Sequence, residues 1–445
     1  MLNLGAYSLF STTGSALAID ETLQARYESG QLNELEFQFG QFVLAEAQKS
    51  LKPLSEAQIN LVTMVAVQLC IEINRQNTCF ELTELPLKEW LVDQPLALPD
   101  VEQWQASLID SGFIGDDSLM QFHHGLVYFT RYYDQECFVA DVVAQGQNKQ
   151  PAHHWLPDIP AQAPEVNNIL DVLFASGESF NWQRHAVVNS LTHRFSVITG
   201  GPGTGKTTTV LKLLATLLTM HQRLQGFAKQ AHPELSIALV APTGKAALRL
   251  SESITSGLVN LTLDDVIKEK IPKQATTIHR LLKPQGPDKF LYNQHKQLSL
   301  DVLILDEASM VDIGLMTRLL SALPLRCQVV LLGDEHQLSS VEAGNLLAEL
   351  CWPLATLTEH EQQQPLAYTQ LKTSYRFDGQ SNIGKLSRAV NFATSGHVQQ
   401  TANQVRSILV ESVSNERVDV VWRDPQHWSL TQIVELVVQR QIQIV

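Results

Sequence analysis

"RFSVITGGPGTGKT" (Arg194–Thr207) joins a short apolar run, a glycine-rich turn and the start of an amphipathic segment. The apolar run predicts a strand, and Val210, Leu213, Leu214 and Leu217 beyond the turn fall on one face of a helix. Between them, "GGPGTGKT" (Gly200–Thr207) matches G-x-x-x-x-G-K-[ST]. Its glycines let backbone N–H groups wrap phosphates at a helix amino terminus. Lys206 can reach the β- and γ-phosphates, and the Thr207 hydroxyl can ligate Mg²⁺. Three further apolar runs lie downstream: "SIALVAP" (Ser236–Pro242), "DVLILD" (Asp301–Asp306) and "CQVVLLGD" (Cys327–Asp334). Continuous rather than alternating apolarity predicts strands of a parallel sheet covered on both faces. The expected fold class is therefore α/β, with polar residues gathered at the edge where open sheets bind ligands.

Two strand ends carry the chemistry. In "LILDEASM" (Leu303–Met310), Asp306 is suited to hold Mg²⁺ and Glu307 to orient an attacking water as base. In "VLLGDEHQLSSVEAG" (Val330–Gly344), Gln337 follows the Gly333-Asp334 pair. Its amide both donates and accepts, so it can report whether a γ-phosphate is present. Lys206, Asp306 and Gln337 are expected to converge on one triphosphate.

The chain has 445 residues, 44% hydrophobic and 18% charged, a globular composition long enough for two to three domains. Residues 1–150 hold seven basic and 20 acidic residues, −13 of the total −14. That part is a poor match for a polyanion and a better one for a protein partner. Its periodicity (Leu32, Leu35, Glu36, Phe39; Ile59, Val62, Thr63, Ala66) predicts a small helical domain over 1–115. "GLVYFTRYY" (Gly125–Tyr133) predicts a strand, and Pro151, Pro157, Pro160 and Pro164 a linker, within a connector over 116–165. Cys70, Cys79, Cys137, Cys327 and Cys351 form no CxxC and no metal spacing, which fits buried thiols in a reducing compartment. The amino terminus lacks a basic n-region, and no 18-residue apolar stretch occurs, so a cytoplasmic chain without membrane contact is expected.

"WQRHA", "GGPGTGKTTTV", "APTGKAA", "TTIHRLL", "LDEASMVD", "GDEHQLSSVEAG" and "SYRF" occur in the order found in superfamily 1 DNA helicases. Over roughly residues 120–400 the chain resembles the RecD family, the alpha subunits of bacterial RecBCD exonuclease V. The resemblance implies a RecA-like P-loop lobe over 166–350 and a second RecA-like lobe beginning in 351–445. It implies ATP and Mg²⁺ as cofactors, single-stranded DNA as track, 5′→3′ movement, RecB and RecC as partners, and roles in break repair and recombination. Gln183 would read the adenine, and Gly200, Gly201, Pro202, Gly203, Thr204, Gly205, Lys206, Thr207 and Thr208 would hold the triphosphate. Thr207 and Asp306 would bind Mg²⁺, Glu307 would activate water, and Gln337 would couple the γ-phosphate to the strand. Arg376 would be an arginine finger, while Pro242, Thr243, Thr277 and His279 would line the strand path.

The second lobe departs from the family pattern: "T-x-H-x-x-Q-G" and "A-x-T-R-A" segments are missing, and "VWRDPQHWSLTQIVELVVQRQIQIV" (Val421–Val445) stops mid-domain, its apolar Ile433, Val434, Val437 and Val438 wanting a partner. The expectation is a truncated chain that binds MgATP but hydrolyses it poorly. A non-hydrolysing scaffold subunit is the alternative. An AAA-type remodelling ATPase is set aside because "GDEHQL" followed by "SYRF" is not that pattern. "PQGPDKFLYNQHKQLSL" (Pro284–Leu300) reads equally as a strand-splitting hairpin or a surface loop.

Overall fold

Two reciprocal capping boxes start the first long helices. Asn33 accepts the Glu36 N–H while the Glu36 carboxylate accepts the Asn33 N–H, opening Glu34–Gln48. Ser55 and Gln58 do the same for Glu56–Asn74. The computed structural model describes residues 19–93, 96–147, 164–174, 180–227, 234–287, 289–337, 340–357, 367–373, 375, 384–386, 389 and 403–408. The chain divides into two compact units, Met1–Thr199 with Thr207–Thr369, and Gly200–Lys206 with Gln370–Val445.

In the first unit, Glu56–Asn74 is buried nearly all round, from Asn60 through Leu69. It is the one helix among the described residues long and apolar enough to cross a membrane by length and composition, and here it is the centre of a core. Trp90 and Trp104 pack into that core, with the Trp90 indole N–H donating to Gln68 Oε1 at 3.0 Å. Leu35, read onto the apolar face, is instead 66% exposed, whereas Glu36 is buried by its capping duty. Cap geometry overrode apolar spacing there. A small antiparallel sheet closes this core: β1 (Cys79–Glu81), β2 (Met120–His123) and β3 (Leu126–Phe129), in the order β1-β3-β2.

The strand expected over Gly125–Tyr133 stops at Phe129, and Thr130–Gln147 is helical. Tyr132, Val139 and Val143 recur at helical spacing and face the second core, so tertiary packing outweighed the β-propensity of the tyrosines. Pro164, read as linker, opens the helix Pro164–Leu173, where its missing N–H costs nothing. Pro151, Pro157 and Pro160 lie outside the described residues.

The second core surrounds a six-stranded sheet ordered β6-β5-β7-β8-β4-β9. These strands are β4 (Phe195–Thr199), β5 (Ile237–Ala241), β6 (Thr276–Thr277), β7 (Val302–Leu305), β8 (Gln328–Gly333) and β9 (Ala367–Gln370). The pairs β5/β6, β5/β7, β7/β8 and β4/β8 are parallel. All four residues of β7 are fully buried. Each such side chain contributes about 1.5–3 kcal/mol, which offsets the roughly 1–2 kcal/mol of ordering its backbone. Val210, Leu213, Leu214 and Leu217 are also fully buried, on the helix Lys206–Phe227.

Helix Thr130–Gln147 bridges the two cores. Half-buried Glu136 on it accepts from the Thr78 hydroxyl of the first core. Burial pushes the Glu136 carboxyl up, against the opposing effect of its Thr78 and Tyr128 hydrogen bonds. A raised carboxyl contributes stability in full below its unfolded value of about 4.3 and loses it as pH climbs through the folded value. The melting temperature of Glu136→Gln minus that of the parent is therefore expected to grow as pH rises. A difference that shrinks with rising pH would contradict this.

Candidate nucleotide-binding site

Strand register sets the site's edge. Thr199 stands opposite Gly333 and Leu305 opposite Leu331, with β8 between β7 and β4. Because these strands are parallel, Thr199, Asp306 and Asp334 all end at one edge of the sheet. Asp306 continues the ladder by donating its N–H to Val240 O at 2.9 Å, and its Oδ1 accepts the Glu307 N–H at 3.0 Å.

Glu307 then breaks from strand geometry. It sits at φ +52°, ψ +43°, the left-handed region that side chains rarely adopt, and opens the short turn Ala308–Met310. Such conformations cost about 1–3 kcal/mol and persist where the surroundings impose them. Its Oε2 is buried without a hydrogen-bond partner, as is Ser309 Oγ beside it. An unsatisfied carboxylate oxygen at a strand tip fits a water or hydrated cation. This orphaned acceptor has the chemistry a hydrated Mg²⁺ asks of its surroundings.

On the β8 tip, Asp334 is 3% exposed and organises the following turn. It accepts the His336 N–H on Oδ1 at 3.1 Å and the Gln337 N–H on its carbonyl at 3.1 Å. The Gln337 amide lies 3.5 Å from Asp334 Oδ2 and is otherwise exposed. Gln183 is buried on the helix Trp182–Thr192, which Asn181 caps.

In the second unit, Gly203 and Gly205 take φ +78° and +85°, where a Cβ would be strained. Thr204 Oγ1 donates to Gly201 O at 2.9 Å. Lys206 Nζ donates to Gly200 O at 2.5 Å and Gly201 O at 3.4 Å, so the ammonium is held over its own loop, where phosphate oxygens can replace those carbonyls. The Tyr375 N–H donates to Gly203 O at 2.8 Å. Pro202 and Thr208 are exposed, and Thr207 is half-buried. Arg376 lies outside the described residues, as do Ile433, Val434, Val437 and Val438.

The residues expected on the strand path divide between two neighbouring tips. Pro242 and Thr243 follow β5, and Thr277 ends β6, with Ala241 opposite Thr277. Both threonine hydroxyls already accept helix N–H groups, Thr243 from Ala246 and Thr277 from Arg280, each at 3.2 Å. Each retains its O–H as a donor for a phosphate. His279 is exposed, its ring centroid 5.9 Å from that of Phe290. Of the two readings of 284–300, the structure holds elements of a hairpin in two antiparallel bridges, Pro284↔Phe290 and Asn293↔Lys296. A cavity of about 340 Å³ beside them is lined by Lys289, Phe290, Tyr292 and Arg318 among others.

Among the described residues, no group of three His, Cys, Asp or Glu could hold a metal by itself, and all five cysteines are free thiols. Sequence reasoning missed Glu335 and Tyr368, which hydrogen-bond across the sheet edge at 3.2 Å. No local motif marks Tyr368; only the fold brings it there.

Residues 183–343 match the family described as an AAA domain. The RecBCD enzyme subunit RecD of Mycolicibacterium smegmatis is 33% identical over 380 residues, covering 83% of this chain and 59% of that protein. The RecBCD enzyme subunit RecD of Haemophilus influenzae is 35% identical over 320 residues, covering 65% of this chain and 48% of that protein. The chain thus spans about half the length of these relatives, between 48% and 59%. Among solved structures, the Pif1 helicase from Candida albicans is 20% identical, covering 61% of this chain and 56% of that one, with a TM-score of 0.32.

Proposed function

We propose that this chain is a RecD-like superfamily 1 helicase subunit, an ATP-driven motor acting on single-stranded DNA, a reading supported by its similarity to relatives named RecBCD enzyme subunit RecD. The observation that carries this reading is Glu307, whose strained backbone and unpartnered Oε2 lie directly after Asp306 at the sheet's carboxyl edge. A general base needs an oxygen free to take a proton, and this one is not spent on the fold.

Bound MgATP would supply a transferable phosphoryl group and the charge that draws the loop onto it. The N–H groups of the loop from Gly200 to Gly205, Pro202 excepted, would wrap its phosphates, and Lys206, now on the Gly200 and Gly201 carbonyls, would serve the β- and γ-oxygens. Thr207 and Asp306 would hold the cation, and Thr208 would join the loop in holding the triphosphate. Glu307 accepts the proton of the attacking water and Gln337 reads the γ-phosphate. Gln183 faces the adenine, and Arg376 stabilises transition-state charge. The strand runs over the β5 and β6 tips, where the Thr243 and Thr277 hydroxyls and the His279 ring meet its backbone and Pro242 lines the path.

Two relatives are named RecBCD enzyme subunit RecD, and the finer parts follow the resemblance carried by the sequence motifs. They are 5′→3′ movement, assembly with RecB and RecC through the acidic region 1–115, a connector over 116–165, a motor lobe over 166–350, a second lobe from 351, and a cytoplasmic setting. Phosphate release by the chain, with and without a single-stranded oligonucleotide, tests the motor reading. DNA-stimulated turnover is the expected result. Binding of MgATP without turnover would favour the scaffold alternative and the expectation of poor hydrolysis. Absence of any nucleotide binding would overturn both.

A further inference from the structure

Tyr368 sits on β9, 5% exposed, at a junction that no motif marks. Its hydroxyl accepts from Thr199 Oγ1 at 3.3 Å and donates to Glu335 Oε2 at 3.2 Å. Thr199 is fully buried and is the last residue before the phosphate loop. Glu335 lies in the turn that carries Gln337, two residues on. In the strand order β8-β4-β9, the Glu335 carboxylate therefore reaches past the β4 tip to a strand two places away. Burial pushes the Tyr368 phenol up, so it remains a neutral donor near neutral pH. Burial and then the nearby Glu335 carboxylate push the Cys351 thiol up, and the same carboxylate lies 3.6 Å from His336 Nε2. Buried polar groups linked in this way are held in one arrangement, because losing a partner strands a buried oxygen.

We propose that Tyr368 is a positioning residue that ties the Glu335–Gln337 turn to Thr199 in front of the phosphate loop, making nucleotide affinity depend on the γ-phosphate. This rests on the nucleotide reading above. Without the phenol oxygen, the turn is free to settle independently of Thr199, and the γ-phosphate loses part of its leverage. A diphosphate, which never engages Gln337, is insensitive to that loss. The specific signature is thus a change in the ratio of two affinities, which general destabilisation does not produce.

The test is titration of the 445-residue chain with a non-hydrolysable fluorescent triphosphate and the matching diphosphate, both with Mg²⁺. Tyr368→Phe is expected to cut the parent's preference for triphosphate by about fivefold, the low end of couplings between sites. Diphosphate affinity should stay as in the parent, and the melt should stay cooperative with its midpoint lowered by the lost hydrogen bonds. Glu335→Ala should give the same loss, and the double variant no more than either single change. An unchanged preference in Tyr368→Phe overturns the proposal, as does a parent that binds the two nucleotides equally, or losses that add in the double variant. If Tyr368→Phe does not fold, Glu335→Ala decides alone by the same criterion. Lys206→Ala separates the two levels. A parent that binds no nucleotide takes down the nucleotide reading and this proposal together. A parent that binds, a weakened Lys206→Ala and an unaltered Tyr368→Phe remove only the positioning role.

Discussion

Glu307→Gln is expected to bind MgATP as the parent does and to turn it over roughly 10²–10⁴-fold more slowly, the usual worth of a positioned base. The amide preserves size and can occupy the same left-handed position, φ +52°. It can still accept a hydrogen bond from water but cannot take the proton. The buried Oε2 has no partner in the fold, so the substitution breaks no existing hydrogen bond there. Asp306 keeps its own contact to the residue 307 N–H, which is backbone and survives the change. Phosphate release measured beside nucleotide titration separates the two steps. Turnover at the parent's rate would remove Glu307 from the chemistry. Equal loss of binding and turnover would recast it as a structural residue.

Lys206→Ala is expected to act one step earlier, at affinity. A charge-assisted hydrogen bond is worth about 1.5–3 kcal/mol, so nucleotide binding should weaken roughly tenfold to a hundredfold. ATP-driven unwinding by the complete assembly should disappear. Folding should be spared, because the Nζ contacts are to two carbonyls of its own half-exposed loop, Gly200 and Gly201. Circular dichroism and the thermal melt check the fold; titration and an unwinding assay check the function. Unwinding at the parent's rate by the variant would take the phosphate loop out of the mechanism.

These two residues differ in how visible they were beforehand. Lys206 stands in a glycine pattern whose meaning is local, since φ +78° and +85° at Gly203 and Gly205 need glycine wherever such a loop occurs. Glu307 was legible as a carboxylate after an apolar run, but its left-handed backbone and orphaned oxygen were not. They depend on what packs around the turn. Thr243 and Thr277 show the same divide: a phosphate-facing role was read for both hydroxyls, and what the structure shows them doing is capping helices.

Local patterning was enough for the parallel sheet, the helix after the phosphate loop and the edge where the polar strand ends gather. Continuous apolarity, helical spacing and glycine tolerance are properties of neighbours a few residues apart. Long-range packing turned Leu35 to water, made the strand at Leu126 helical from Thr130, and added β6 and β9 to the sheet. It alone brought Tyr368 to Thr199, 169 positions away. The physical reason is that burial is shared across the whole core: which side chains leave water, and which hydroxyl meets which carboxylate, is settled only once distant segments compete for the same space.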